Sequence, residues 1–359
     1  MHSKRWIGLA LVVGVAAMAF PAAGQLSGTP FGGTYNGSES TMGYLLHGGL
    51  GQVSGKEFGM IFNVPTDVVS VNFLQGSGLG PGRSHWKKID VYADGQLVGY
   101  IDNLPKVQDH TNLAIYSYET DAPTVLEGVT WVALVFRDSW GDGAINTAGL
   151  LNGFSFNGTP VADAGPVNVD VNLGKTYTSS HQSGSGVYSY SPTAVTNGSL
   201  MPAEGTLWER SSLGTDDRVS LTVNYGVDED GEKIRYDMDR VGIALASTDP
   251  NRIAPRWVWI SSDKDAPVQI FLDDALAFYN QYDLPAGGFL GINTLTITFP
   301  KPYEVYEVDE QWVSAWYNSY QNYFGLTEFQ AFGSLTPIPE PATMSLLALG
   351  GLAMLRRRR

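Results

Sequence analysis

The chain repeatedly alternates apolar and polar residues one by one. Val69-Ser70-Val71-Asn72-Phe73 does so, as do Val219-Ser220-Leu221-Thr222-Val223-Asn224-Tyr225 and Leu295-Thr296-Ile297-Thr298-Phe299. Successive side chains of a strand point to opposite faces, so this pattern suits a strand with one wet and one dry face. Wound as a helix, the same residues would scatter around its circumference. Ile89-Asp90-Val91-Tyr92, Asp94-Gly95 and Gln96-Leu97-Val98-Gly99-Tyr100-Ile101 predict a hairpin with a type I′ turn, which needs positive φ at both central residues. Residues 129–136 (VTWVALVF) are almost continuously apolar and predict a strand buried on both faces. Residues 150–156 supply the closing strand of the first half, ended by Asn157-Gly158. In the second half, residues 241–246 and 257–260 also read as strands, and residues 273–279 as a short helix capped by Asp273. Forty-two glycines, with abundant Tyr, Trp, Val and Thr, favour strands and tight turns throughout.

The N-terminus is of a different kind. Lys4-Arg5, an apolar stretch over residues 7–20 and Pro21-Ala22-Ala23-Gly24 have the three-part layout of a secretory signal peptide over residues 1–24, to be removed by signal peptidase. The chain has no cysteine, which excludes a disulfide framework, a thiolate metal site and a cysteine nucleophile together. Its formal net charge is −14. Lys4, Arg5 and Arg356, Arg357, Arg358 and Arg359 lie in segments expected to be removed, and no acidic residue does, so the mature body carries about −20. Such a surface repels nucleic acid and anionic lipid. It suits calcium, cationic partners or neutral sugars, or serves solubility alone.

Residues 161–172 (VADAGPVNVDVN) are small and polar, and predict a linker. The two halves end alike. Trp131-Val132 followed by residues 149–160 parallels Trp312-Val313 followed by residues 325–333, with Thr336-Pro337 just beyond. This predicts an all-β chain of two tandem β-sandwich domains, residues 25–160 and 173–335.

The end of the chain, residues 336–359, combines Pro339-Glu340-Pro341, an apolar run over residues 342–355 and the four terminal arginines. It resembles the PEP-CTERM sorting tail of exported bacterial proteins, which implies processing by an exosortase-type enzyme. The physics agrees: the prolines make an extended spacer, and the apolar run is shorter than the roughly 20 residues of a comfortable bilayer span. The arginines stay cytoplasmic under the positive-inside rule. The resemblance therefore implies only transient contact with the membrane, through a short hydrophobic sorting helix. A permanent single-pass anchor is the alternative, with the rest of the chain outside just the same.

The second half carries another resemblance. Tyr188-Ser189-Tyr190-Ser191-Pro192-Thr193-Ala194, Asn197-Gly198-Ser199, Thr206-Leu207-Trp208-Glu209 and Gly325-Leu326-Thr327-Glu328 are similar to the discoidin or coagulation-factor type C family, whose members are galactose-binding-like jelly rolls. The first half shares mainly the closing part. The resemblance implies a structural calcium held by Asn197, Ser199, Thr206 and loop carbonyls, bridged to Glu328. Hard cations take oxygen ligands, so the set is chemically reasonable. The alternative is a plain turn and a surface glutamate. In the first half Asn152 occupies the place of Glu328, which puts a second ion in doubt. Asp228-Glu229-Asp230-Gly231 lacks the spacing of an EF-hand and reads as a hairpin tip.

Sugars are held by aromatic faces with a few polar groups. Turn-rich stretches carry candidate aromatics: Trp86, Trp140, Tyr188, Tyr190, Trp316, Tyr317, Tyr320 and Tyr323. The bland reading is that they cap the sandwich ends. No G-x-S-x-G elbow, H-E-x-x-H zinc motif or phosphate loop is present, and His47, His85, His110 and His181 are scattered singly. The expectation is a non-catalytic, exported surface or matrix protein that associates with extracellular polysaccharide. A purely structural matrix protein, and a polysaccharide-active hydrolase, remain the alternatives.

Overall fold

The computed structural model describes residues 26–32, 34–35, 44–46, 57–76, 86–101, 114–119, 126–139, 149–180, 187–189, 195–198, 200, 208–210, 218–245, 255–272, 279–301, 304–308, 311–314 and 324–336. Every regular element among them is a strand, and the pairings are antiparallel. The fold class is all-β. The expected signal peptide and sorting helix lie outside the described residues.

The first half forms one sheet of nine strands. They are β1 (Thr29–Gly32), β2 (Thr34–Tyr35), β3 (Tyr44–Leu46), β4 (Glu57–Gly76), β5 (Trp86–Ala93), β6 (Gln96–Ile101), β7 (Ala114–Glu119), β8 (Leu126–Ser139) and β9 (Gly149–Pro160). The twenty-residue β4 breaks register between Ile61 and Thr66. Its first part pairs with β1 and β8, and its later part with β7 and β9. One core packs against this sheet, built from Phe58, Met60, Phe62, Val71, Ile89, Val91, Val132, Leu134 and Phe156. The hairpin of β5 and β6 turns at Asp94 and Gly95, with φ of 46° and 81°, as the Asp-Gly pair predicts.

The second half contributes β10 (Tyr177–Ser179), β11 (Val187–Ser189), β12 (Trp208–Arg210), β13 (Val219–Asn224), β14 (Tyr236–Leu245), β15 (Trp257–Ser262), β16 (Val268–Phe271), β17 (Tyr279–Asp283), β18 (Phe289–Ile292), β19 (Thr294–Phe299), β20 (Val305–Val308), β21 (Gln311–Ser314) and β22 (Phe324–Leu335). Five of them form the sheet β10-β13-β19-β15-β16, and six form β11-β12-β22-β14-β17 with β18 on β14. The large core between these two sheets contains Leu221, Val223, Val241, Ile243, Ile260, Leu295, Ile297, Phe299 and Phe329. The alternating segments of this half, β13 and β19, turn their apolar residues inward, as their period of two requires. In the first half Val69 departs from the expected alternation and faces outward, because the register shifts between Val68 and Ser70. Tyr279, expected at the end of a short helix, instead opens β17 and pairs with Ala244. The other residues of that expected helix, 273–278, lie outside the described residues.

The prediction for residues 129–136 holds where side chains are described. Trp131, Val132, Ala133, Leu134 and Val135 are all buried. Val132 and Leu134 enter the core of the first half. Trp131, Ala133 and Val135 enter a different cluster with Phe31, Ile61 and Tyr92, joined there by Leu200, Ala244 and Tyr279 of the second half. The two halves therefore share a dry layer. Tyr279 sits at its centre, 4.8 Å from the Phe31 ring and 5.5 Å from that of Trp131, the latter edge-on. Gly59 makes room for the Phe31 ring: a Cβ there would collide with it and with the Val132 carbonyl.

Residues 161–172 run along the edge of this layer as a strap. Val161 and Val167 donate backbone bonds to Pro65 and Asn63, both in β4, and Val171 donates to Ala331 in β22. Asn168 joins the halves. Its amide nitrogen donates to the Phe62 and Thr130 carbonyls at 2.8 and 3.0 Å. Its Oδ1 accepts from Arg240 at 3.4 Å and Gln281 at 3.3 Å. One short side chain thus uses both donors and its acceptor across the junction.

Candidate functional site

Of the expected calcium set, Glu328 lies in β22 and Asn197 in a loop whose backbone bonds to it. Leu326, Phe329 and Ala331 of this strand enter the second core, while Glu328 is paired with Ala244, on the side of the strand that meets the first half. Glu328 is fully buried. Its Oε1 accepts the Gly198 amide at 2.9 Å, and the Asn197 amide bonds to the carboxylate as well. Gly198 can aim its N–H there because it adopts φ of 79°, a conformation suited to glycine. The surrounding loop is fastened on several sides. Phe329 donates to the Val195 carbonyl at 2.8 Å, Gly174 donates to the Thr196 carbonyl at 2.6 Å, and Leu200 bridges to Phe31 of β1.

The second carboxylate oxygen differs from the first. Oε2 of Glu328 is buried and makes no hydrogen bond, and the neighbouring Thr327 hydroxyl is in the same condition. Burial pushes the Glu328 carboxyl up to about 9, against the pull of the Gly198 and Asn197 amides, and Asp170 raises it further. Asp170, on the strap, is a half-buried acid with one carboxylate oxygen shut off from water. Its Oδ1 accepts the Asn172 and Ala331 amides at 2.9 and 3.0 Å, while its Oδ2 has no partner. Burial pushes Asp170 up to about 6 in spite of those two bonds.

A buried carboxyl of this kind has two ways to avoid an uncompensated charge: it keeps a proton, or it takes a cation. The orphaned Oε2 and the adjoining loop fit a hard cation in donor type. Among the described residues no three His, Asp or Glu side chains gather into a metal-holding group, so backbone and hydroxyl oxygens would have to complete such a site. Asn197 itself is exposed and reaches Glu328 through its backbone. Ser199 and Thr206 lie outside the described residues.

The aromatic candidates are placed less fully. Tyr188 lies in β11, paired with Glu209 of β12 at one edge of the six-stranded sheet, and Trp86 opens β5. Trp140, Tyr190, Trp316, Tyr317, Tyr320 and Tyr323 lie outside the described residues. So do Pro339, Glu340, Pro341 and Arg356, Arg357, Arg358 and Arg359. Among the described residues no helix is long and apolar enough to cross a membrane. Asp228 closes the tip expected there, its carboxylate accepting the Asp230 and Glu232 amides at 3.0 and 2.8 Å. Sequence reasoning missed Asn168 and Asp170, which looked like ordinary linker residues. An Asn-x-Asp-x-Asn spacing on an extended segment was the only signal, and it is weak.

Residues 337–359 match the PEP-CTERM protein-sorting motif. The chain thus carries the address of an exported protein that an exosortase processes. No curated protein shows significant similarity to it. Among solved structures, it is similar to a fucolectin from striped bass (Morone saxatilis) serum, at 14% identity and a TM-score of 0.31, over 78% of this chain and 83% of that one. It is also similar to the paired CBM32 domains of Clostridium perfringens ZmpB, at 11% identity and 0.27, over 88% and 93%. Allantoicase from Saccharomyces cerevisiae aligns at 9% identity and 0.27, over 84% of each chain. No residue role follows from alignments this loose.

Proposed function

We propose that this is a non-catalytic protein of the bacterial cell surface or extracellular matrix, which associates with extracellular polysaccharide. The observation that carries the reading is the sorting motif at residues 337–359, which directs the body outside the cell. The strongly acidic composition argues against nucleic acid and anionic lipid as partners and leaves neutral glycans as a suitable class. The aromatics of the turn-rich stretches, with Trp140, Tyr188, Tyr190, Trp316, Tyr317 and Tyr320 foremost, are the proposed contacts. The resemblance of the second half to galactose-binding-like jelly rolls supports the same class of ligand. The test is retention of the mature protein on columns of immobilised polysaccharide. Retention that falls in Trp316→Ala and Tyr320→Ala supports the reading, and failure to bind any glycan tried removes it.

The calcium reading belongs to the same proposal. Glu328, with the loop of Asn197, Ser199 and Thr206, holds a structural calcium that neutralises the buried carboxylate. What supports it is the unpartnered Oε2 in a fully buried residue. Thermal unfolding with calcium and with chelator tests it. Equal midpoints in the wild type would rule the ion out.

A further inference from the structure

A cleft of about 470 Å³ lies between the strap and the ends of β14 and β22. Asp237, Asp239, Arg240, Val169 and Leu290 are among its lining residues. Two of the polar groups are held in place from behind. Asp237 Oδ1 accepts the Gly291 amide at 2.7 Å and the Thr336 hydroxyl at 2.8 Å. The Arg240 guanidinium donates to the Val167 carbonyl at 3.0 Å and lies 4.8 Å from the centre of the Phe332 ring. Asp239 is exposed, yet its backbone is fixed, because its carbonyl accepts the Leu284 amide at 2.7 Å. Val169 and Leu290 are 49% and 61% exposed.

A ligand pocket typically offers several hundred Å³ of space, apolar walls and a few fixed polar groups, often at a junction between domains. This cleft has each of these. Its chemistry also selects. Two carboxylates oppose an anion, and a fixed guanidinium opposes a cation. What the mixed lining favours is a neutral molecule with hydroxyls to donate to the carboxylates and accept from the arginine, and C–H faces to cover the aliphatic residues. A pyranose ring has both. We propose that the cleft binds one or two units of a neutral sugar, as a second glycan site distinct from the turn-borne aromatics. The choice of a sugar rests on the surface-polysaccharide reading given above.

The experiment uses the mature protein, with saturation-transfer NMR and calorimetry against maltose, cellobiose and lactose. Galacturonate and glucosamine serve as charged comparisons. The expected result is binding of at least one neutral disaccharide in the millimolar range, an order of magnitude usual for a small polar ligand in an open cleft. Asp239→Ala and Leu290→Arg, both at exposed positions, should weaken it by about tenfold or more with unchanged thermal midpoints. Trp316→Ala should leave it intact. Absence of disaccharide binding overturns the proposal, as does wild-type binding by both cleft variants or a preference for either charged sugar. If the protein is retained by polysaccharide columns while disaccharides fail to bind, the cleft is refuted and the surface reading stands. Absence of retention as well removes both.

Discussion

Replacing Glu328 by glutamine separates the two ways in which this buried carboxyl can be satisfied. In the folded protein the group titrates at about 9, against an ordinary value of 4.5. Between those values the folded chain holds a proton that the unfolded chain has released, so stability falls as pH rises. The loss grows by about 1.4 kcal/mol per pH unit, and at pH 7 it reaches about 3 kcal/mol. Glutamine has nearly the same shape and keeps a neutral oxygen for the Gly198 amide, but never carries the charge. In chelator at pH 7, Glu328→Gln should therefore be the more stable protein by up to about 3 kcal/mol. The gap should close towards pH 4.5, where the wild-type carboxyl is protonated in both states. Calcium should close most of that gap. At a hundredfold excess over its dissociation constant an ion contributes about 2.7 kcal/mol to the wild type, enough to offset most of the proton penalty, and nothing comparable to the variant. Urea unfolding from pH 4.5 to 9, in chelator and in calcium, measures all of this. Parallel pH profiles for the two proteins would refute the argument, since the cost would then not reside at Glu328.

Asn168→Ala removes bonds to the Phe62 and Thr130 carbonyls and to Arg240 and Gln281, leaving polar groups of both halves unmatched. A destabilisation of about 2–4 kcal/mol is expected, together with faster proteolysis within the strap, read by urea unfolding and limited digestion. Asp170→Asn should remove a loss of stability that in the wild type develops between pH 3.8 and about 6 and persists above it. An unchanged profile in that variant would show that the strap acid titrates normally. Intact mass of the secreted protein should place the new C-terminus near Pro341; a full-length tail ending in Arg359 would favour a permanent anchor.

Much of the local structure was legible. Asp94-Gly95 announces its turn because the backbone conformation depends on two residues alone. The strands β13 and β19 announce themselves by a period that a single face imposes. Long-range partnership was not legible. The sequence around Trp131 shows that the strand is dry on both sides, but not that one side is covered by Tyr279 and Ala244 of the other half. The strap looks like a linker because small polar residues and a proline are what linkers contain. Its Asn168 and Asp170 acquire their roles only from residues as distant as Arg240 and Ala331. Tyr279 was misplaced for a similar reason, since a helical start at Asp273 is a local signal and pairing with β14 is not. Glu328 stands in a run of residues that otherwise reads as an ordinary closing strand. Nothing nearby says that its carboxylate is sealed from water.

The dry layer between the halves also bears on how the protein is delivered. A chain exported from its N-terminus presents the first half to the outside before the second has crossed. During that interval Phe31, Ile61, Tyr92 and Trp131 have no cover, because the residues that bury them, Ala244 and Tyr279 among them, are still on the other side. The exposed face is apolar and largely aromatic, the kind of surface on which nascent chains stick to one another. Secretion of this protein thus has a vulnerable period that lasts until β22, whose pairing with β14 completes the second half, has crossed. Slowing translocation after that strand should be harmless, whereas a pause before it should send the first half into aggregates.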